Sequence, residues 1–338
     1  LKPTEEERMI RELILQMKLG HVQPEYFQDK FGVDVGEGHL APLLKQAQAD
    51  GLADALGGAG DDVLDGGAGD DVLTDAQGTN TLSGGTGDDV INLTGTSAPQ
   101  GVVDGGAGTD TLRIASDTNW SNLSVSNVEI LDGRGGRTQL TPQEVVDRGF
   151  TTANNITFSL DPNGTGGALD ASGLAGNFTL RGSNQSDHLI GNADANTLYL
   201  HGEDSNRGSG RGVDTVEAGA GDDSIVWRIQ RYESWERTFS DADQASRTYF
   251  VDGVFDGGAG KDTFTFDFRE SYFYHAWGGN TWDQSESPSW HLDLSRASWT
   301  GVEALEFTNQ DAGRPWAHPS SVVLSVAQVA GLTSTSGL

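Results

Sequence analysis

GGAGDDVLD (57–65), GGAGDDVLT (66–74), DAQGTNTLS (75–83) and GGTGDDVIN (84–92) lie end to end in this 338-residue chain. The first, second and fourth follow Gly-Gly-x-Gly-x-Asp-x-apolar-x. The third keeps Gly78, Asn80 and Leu82 and is a degenerate copy in the same register. Three glycines in four places permit positive φ and a turn tight enough for backbone carbonyls to converge. The acid at the sixth place (Asp62, Asp71, Asp89) adds a hard anionic oxygen. Carbonyls with carboxylates suit Ca²⁺ rather than zinc or copper. The last three places predict a short strand whose apolar member (Leu64, Leu73, Leu82, Ile91) turns inward under period-two alternation. A flexible Gly/Asp linker would not place an apolar residue at the eighth position of every unit.

These units resemble the RTX nonapeptide repeats, a Ca²⁺-binding parallel β-helix pattern. The resemblance implies a β-roll in which six residues turn and three extend. Two units complete one coil, and ions sit between stacked turns. The side-chain ligands then expected are Asp62, Asp71, Asp89, Asp110, Asp187, Asp214, Asp223 and Asp262, with Asn80 in the degenerate unit. The carbonyls of Gly57, Ala59, Gly66, Ala68, Gly84 and Thr86 complete the expected metal set.

The net charge of −29 argues against nucleic-acid and anionic-membrane partners, whose phosphates would be repelled. Without cations the carboxylates oppose compaction, so the glycine-rich part is expected to fold when Ca²⁺ is supplied. No cysteine is present, which excludes a disulfide frame and thiolate sites. No apolar run is long enough to span a bilayer. The first residues are a charged amphipathic stretch rather than a signal peptide. The RTX resemblance implies type I secretion instead.

Residues 1–55 differ from the rest. Thr4 with Glu7 forms a capping-box pattern, and Met9, Ile10, Leu13, Ile14 and Met17 recur at helical spacing. A second helix is expected from Pro24 with Tyr26, Phe27 and Phe31, and a third with Leu40, Leu43 and Leu44. The result is a small three-helix or winged-helix-like domain. Glu7-Arg8-Met9-Ile10-Arg11-Glu12-Leu13-Ile14 and Asp50-Gly51-Leu52 resemble the C-terminal helical domain of the oxygen-independent coproporphyrinogen oxidases. A chain without cysteine lacks that family's radical-SAM ligands, so its activity is not carried over. Residues 1–56 hold six Lys/Arg against ten Asp/Glu, which disfavours DNA.

After Asn92 the repeat breaks over 93–104 and returns as GGAGTDTLR (105–113), with Asp110 and Leu112. A second pass holds GSNQSDHLI (182–190), GNADANTLY (191–199), a unit at 209–217 with Asp214, and AGAGDDSIV (218–226). A long interruption, 227–256, precedes GGAGKDTFT (257–265). Each pass ends on an x-Val-Glu-x-Leu segment, Asn127–Leu131 and Gly301–Leu305, and then on Leu140–Val146 or Leu324–Ala330. This reads as a tandem duplication. The expected architecture is mainly β: a helical domain at 1–55, then RTX β-roll modules with flanking strands at 56–181 and 182–338.

Seven of the eight tryptophans follow residue 226. Trp227, Tyr232, Trp235, Tyr249, Trp277, Trp282 and Trp290 suit a binding loop stacked on sugar or a partner, or packing against the coil. No Gly-x-Ser-x-Gly, His-Glu-x-x-His or phosphate-binding loop occurs, and no two histidines have zinc spacing. The chain is therefore expected to be no enzyme but a secreted, Ca²⁺-binding structural protein of surface-layer or adhesin type. Its expected partners are Ca²⁺ and either copies of itself or cell-surface polysaccharide. The alternatives are a carbohydrate-binding adhesin segment and the non-catalytic tail of a type I-secreted enzyme.

Overall fold

A computed structural model describes residues 8–9, 11–12, 29–31, 55–57, 60–95, 99–114, 120, 122–138, 140–162, 164–200, 212–232, 247–271, 290–309, 321–323 and 332–336. Of the amino-terminal segment, the stretches 8–9, 11–12 and 29–31 are helical, as the spacing predicts. Met9 is buried, and Lys30 Nζ lies 3.5 Å from Glu12. The expected third helix, the 50–52 motif and the segment 324–330 lie outside the described residues. Contacts divide the chain into two units, residues 1–134 with 148–150, and residues 135–147 with 151–338.

The first unit is a roll of parallel strands: β1 (Ala55–Leu56), β2 (Val63–Ala68), β3 (Val72–Asp75), β4 (Thr79–Thr86), β5 (Val90–Leu93), β6 (Gln100–Ala107), β7 (Thr111–Ile114), β8 (Leu123–Ser126) and β9 (Ile130–Thr138). Odd strands pair with odd and even with even, each time in parallel. The chain thus winds through two flat faces, one nonapeptide to each half-turn. Leu64 stands opposite Leu82, and Leu73 opposite Ile91. Each partner holds the same place in the next unit but one, so two nonapeptides make one coil. On the odd face β3, β5 and β7 are short. On the other face β2, β4 and β6 extend further, because the next unit's glycines also pair, Gly67 with Gly85.

The eighth-place residues fill the interior in two columns. Leu73, Ile91, Leu112 and Leu131 form one, all without solvent exposure. Leu64, Leu82, Val103 and Val125 form the other. The seventh-place residue Val63 and its counterpart Val102 point outward and are exposed, as pleating dictates. Gly85 shows why the second glycine is needed. Its φ is 108°, and a Cβ there would run into the Gly67 carbonyl one coil below.

The expected break at 93–104 is not one. Leu82 pairs with Val103 and Val103 with Val125, each partner lying slightly further along the chain than two nonapeptides. Extra residues are taken up outside the paired strands, and the column passes through unbroken. After β9, Thr141 and Glu144 exchange capping hydrogen bonds of 3.2 and 2.7 Å, with Pro142 opening the short helix α1 (Pro142–Asp147).

The second unit follows the same plan: Leu180 still meets Leu198 two nonapeptides on, and the coils lengthen from β16 onward. One sheet runs β10 (Thr152–Ser159), β12 (Thr179–Arg181), β14 (Thr197–Tyr199), β16 (Ser224–Tyr232), β19 (Thr263–Ser271), β22 (Ala304–Asn309) and β24 (Ser334–Ser336). The opposite sheet runs β11 (Ala168–Asp170), β13 (His188–Ile190), β15 (Asp214–Glu217), β18 (Gly253–Asp256) and β21 (Ala297–Thr300). A third, lateral sheet holds β17 (Arg247–Phe250), β20 (Trp290–Asp293) and β23 (Ser321–Val323). The interruption at 227–256 likewise leaves the register intact. Ile225 pairs with Phe264 and Val216 with Phe255, each across the whole of an enlarged coil.

Aromatic residues take over the interior here. Phe264 stacks on Phe266 at 4.8 Å, Phe266 on Phe307 at 5.1 Å, and Phe255 meets Phe264 edge-on at 5.1 Å. Trp227 is 1% exposed and packs edge-on against Phe266, so it serves the core rather than a binding loop. Trp235, Trp277 and Trp282 lie outside the described residues.

Candidate metal centre

Because each coil returns the chain to its starting face, every sixth-place residue comes back to the same edge of the roll, one strand spacing up. Four ladders result. Asp71, Asp89 and Asp110 share the first, Asp62 and Asn80 the second, Asp187 and Asp214 the third, and Asn196, Asp223 and Asp262 the fourth. Each rung uses one side-chain oxygen in the same way. Asp89 Oδ1 accepts the Asp71 N–H at 2.8 Å, and Asp110 Oδ1 accepts the Asp89 N–H at 2.8 Å. Asp262 Oδ1 accepts the Asp223 N–H at 2.8 Å. Asn80 Oδ1 accepts the Asp62 N–H at 2.9 Å, so an amide fills a rung with the same geometry.

The second oxygen is what distinguishes the site. Asp89, Asp110, Asp223 and Asp262 are at most 2% exposed, and the Oδ2 of each has no hydrogen-bond partner. A buried carboxylate oxygen left without a donor costs several kcal/mol unless a cation meets it. The glycine at the first place of the unit makes room for it. A Cβ at Gly105 would stand 2.6 Å from Asp110 Oδ2, and one at Gly257 would stand 2.9 Å from Asp262 Oδ2. Among the described residues no three His, Asp or Glu side chains gather at one point. The donor set is one carboxylate per turn amid backbone carbonyls, all hard oxygen, which fits Ca²⁺.

Burial pushes the Asp89, Asp110 and Asp262 carboxyls above the usual carboxylate range, and neighbouring acids add to it. The amide each accepts pulls part of the rise back. Burial pushes Asp223 furthest, up to about 7. The fifth-place acids differ. Asp61, Asp70, Asp88 and Asp222 are exposed, yet each Oδ1 accepts a backbone N–H one coil on, at 2.7–2.9 Å. They are more than solvated neighbours: they stitch the outer rim of the turns.

The remaining expected residues divide. Gly66 and Gly84 carry the same close approach to Asp71 and Asp89. The Thr86 carbonyl accepts the Gly69 N–H at 2.8 Å, while Ala68 pairs with Thr86 in the ladder. Gly57 lies over Asp62, and Ala59 is outside the described residues. Asp187 is held by the protein itself. Ser183 donates its N–H to Oδ2 at 2.6 Å and its hydroxyl at 3.0 Å to Oδ1, while Gly167 donates its N–H to Oδ1. In the unit 191–199, Asn192 Nδ2 donates to the Leu174 and Gly176 carbonyls, so an amide occupies those carbonyl oxygens.

Two residues escaped the sequence reading. Glu129 Oε2 accepts the Asp110 N–H at 2.9 Å, and Glu303 Oε2 accepts the Asp262 N–H at 2.8 Å. Each is the next rung of its ladder, just before β9 and β22 rather than within a strand. The signal was present. Every sixth-place acid precedes its inward residue by two, and Glu129–Leu131 and Glu303–Leu305 keep that spacing.

The geometry thus defines parallel β-rolls with buried, undonated carboxylate oxygens along their edges. The comparison with known families agrees. The RTX calcium-binding nonapeptide repeat matches in four copies at residues 56–91, 172–204 and 209–226, so the chain carries RTX repeats, which bind Ca²⁺. No curated protein and no solved structure matches the chain. Repeats of this kind are typical of secreted proteins and usually play a structural part. Among the described residues, no helix is long and apolar enough to cross a membrane.

Proposed function

We propose that this is a secreted structural protein whose modules, expected at 56–181 and 182–338, fold on Ca²⁺ outside the cell and associate there with copies of themselves or with cell-surface polysaccharide. The observation that carries the reading is the set of buried, undonated Oδ2 atoms at Asp89, Asp110, Asp223 and Asp262. Ionised and metal-free, these oxygens oppose the coil; with Ca²⁺ on them and on the turn carbonyls, the same coil is favoured. We assign the metal to Asp71, Asp89 and Asp110 on one edge of the first unit, to Asp62 on the other, and to Asp214, Asp223 and Asp262 in the second unit. Low-affinity sites suit the Ca²⁺ levels found outside cells. Stacked coils grow along one axis, which suits end-to-end or lateral assembly. The test is circular dichroism and negative-stain electron microscopy with chelator and with millimolar Ca²⁺. Gain of β signal with ordered assemblies supports the reading. An unchanged spectrum refutes Ca²⁺-driven folding, and monodisperse monomer at millimolar Ca²⁺ refutes self-assembly.

A further inference from the structure

In the degenerate unit 75–83 the sixth place holds Asn80 instead of an acid, which taken alone predicts a lost metal site. The same unit has Asp75 where the others have their first glycine. We propose that Asp75 replaces the missing carboxylate and, with Asp62 of the neighbouring turn, forms a further Ca²⁺ site at Gly57, built from the first place of the repeat rather than the sixth.

Two observations carry this. First, Asp75 is 2% exposed, and its Oδ1 has no hydrogen-bond partner. Its Oδ2 accepts from Asn80 Nδ2, so the residue now at the sixth place holds the relocated carboxylate in position. Second, two carboxylates from different turns converge. Asp62 Oδ2 lies 3.2 Å from the point a Gly57 Cβ would occupy, and Asp75 Oδ1 lies nearer still to that point. Two acid oxygens facing one bare glycine form a cation seat.

The exchange is compensatory. The normal unit places glycine first and acid sixth, with the acid's Oδ2 over the glycine. This unit places acid first and amide sixth. One carboxylate per turn is kept, and the spare rung position goes to Asn80 Oδ1, which accepts the Asp62 N–H.

The inference rests on the Ca²⁺-binding reading above, and the experiment separates the two. Ca²⁺ ions per chain are counted by native mass spectrometry and calorimetry on the wild type, Asp75→Asn, Asp89→Asn and the exchange Asp75→Gly/Asn80→Asp. The expected result is one ion fewer in Asp75→Asn, and the wild-type count in the exchange, which restores the usual order. A wild-type count in Asp75→Asn beside a loss in Asp89→Asn overturns the Asp75 site while leaving the general reading intact. One ion more than wild type in the exchange also overturns it, because that variant would then have created a site where none stood. This last comparison holds even if Asp75→Asn fails to fold. No Ca²⁺ on the wild type overturns both.

Discussion

Asp223→Asn is expected to act in opposite directions with and without metal. Asp223 is buried, its Oδ1 accepts the Asn196 N–H at 2.7 Å, and its Oδ2 has no donor. Burial raises its pKa from the ordinary 3.8 to about 7. At ~1.4 kcal/mol per tenfold change in proton affinity, keeping it ionised above pH 7 costs the metal-free fold roughly 4 kcal/mol. Asparagine removes that charge and keeps the rung, as Asn80 and Asn196 already show in the wild type. Its buried Nδ2 hydrogens return about 1–3 kcal/mol of the gain. The net expectation at pH 8 in chelator is a stabilisation of roughly 1–3 kcal/mol. With a urea slope of ~2 kcal/mol per molar, the unfolding midpoint rises by about 0.5–1.5 M. At pH 5 Asp223 carries its proton, and the gain disappears. In excess Ca²⁺ the sign reverses, because an amide cannot supply the anionic ligand. Urea unfolding followed by far-ultraviolet circular dichroism, in both buffers and at both pH values, reads all four cases. A metal-free midpoint at pH 8 that is unchanged or lowered refutes the reasoning.

Acid should replace the metal for the whole ladder. Carboxyls whose pKa is raised by folding stabilise the fold at low pH, and that stability is lost as pH rises through the folded value, about 7 for Asp223. Metal-free β signal should therefore grow as pH falls from 8 to 5, and a monotonic fall would contradict it. Gly105→Ala places a Cβ 2.6 Å from Asp110 Oδ2 and against the Asn127 carbonyl, so it should cost about 1–3 kcal/mol in Ca²⁺ by urea unfolding. Glu303→Ala strands the Asp262 N–H and should cost about 1–3 kcal/mol, whereas Glu303→Gln, which keeps an acceptor, should cost far less. Leu112→Ala empties a fully buried place in the core column and should cost about 2–5 kcal/mol by the same assay.

The repeat made the coil legible before any coordinates. The eighth-place leucines, the sixth-place acids and the glycine turns all fall where the nonapeptide puts them, because each answers a local requirement that recurs in every unit. What was not legible depends on the neighbouring coil. The stretches 93–104 and 227–256 read as breaks because their period is lost, yet Leu82–Val103 and Ile225–Phe264 still pair. A β-coil tolerates residues added outside its paired strands, and sequence spacing cannot show that. Glu129 and Glu303 are hidden because neither stands in a glycine-rich nonapeptide, and only the acid-to-core spacing marks them. Asp187 kept the motif letter, but Ser183 supplies its donors, and no single-unit pattern reveals that contact.

The uneven coil lengths bear on where winding starts. Leu73 meets Ile91 after only two nonapeptides, whereas Phe255 meets Trp299 after more than twice that length of chain. Closing the longer loop costs about 0.8 kcal/mol more in chain entropy, before any stacking rewards it. The tight turns carrying Asp71 and Asp89 are therefore expected to close on calcium ahead of the longer, aromatic-filled coils. Pulsed hydrogen exchange after calcium addition should show amides of residues 71–93 protected ahead of those at 253–300, and the reverse order would move the starting point to the longer coils.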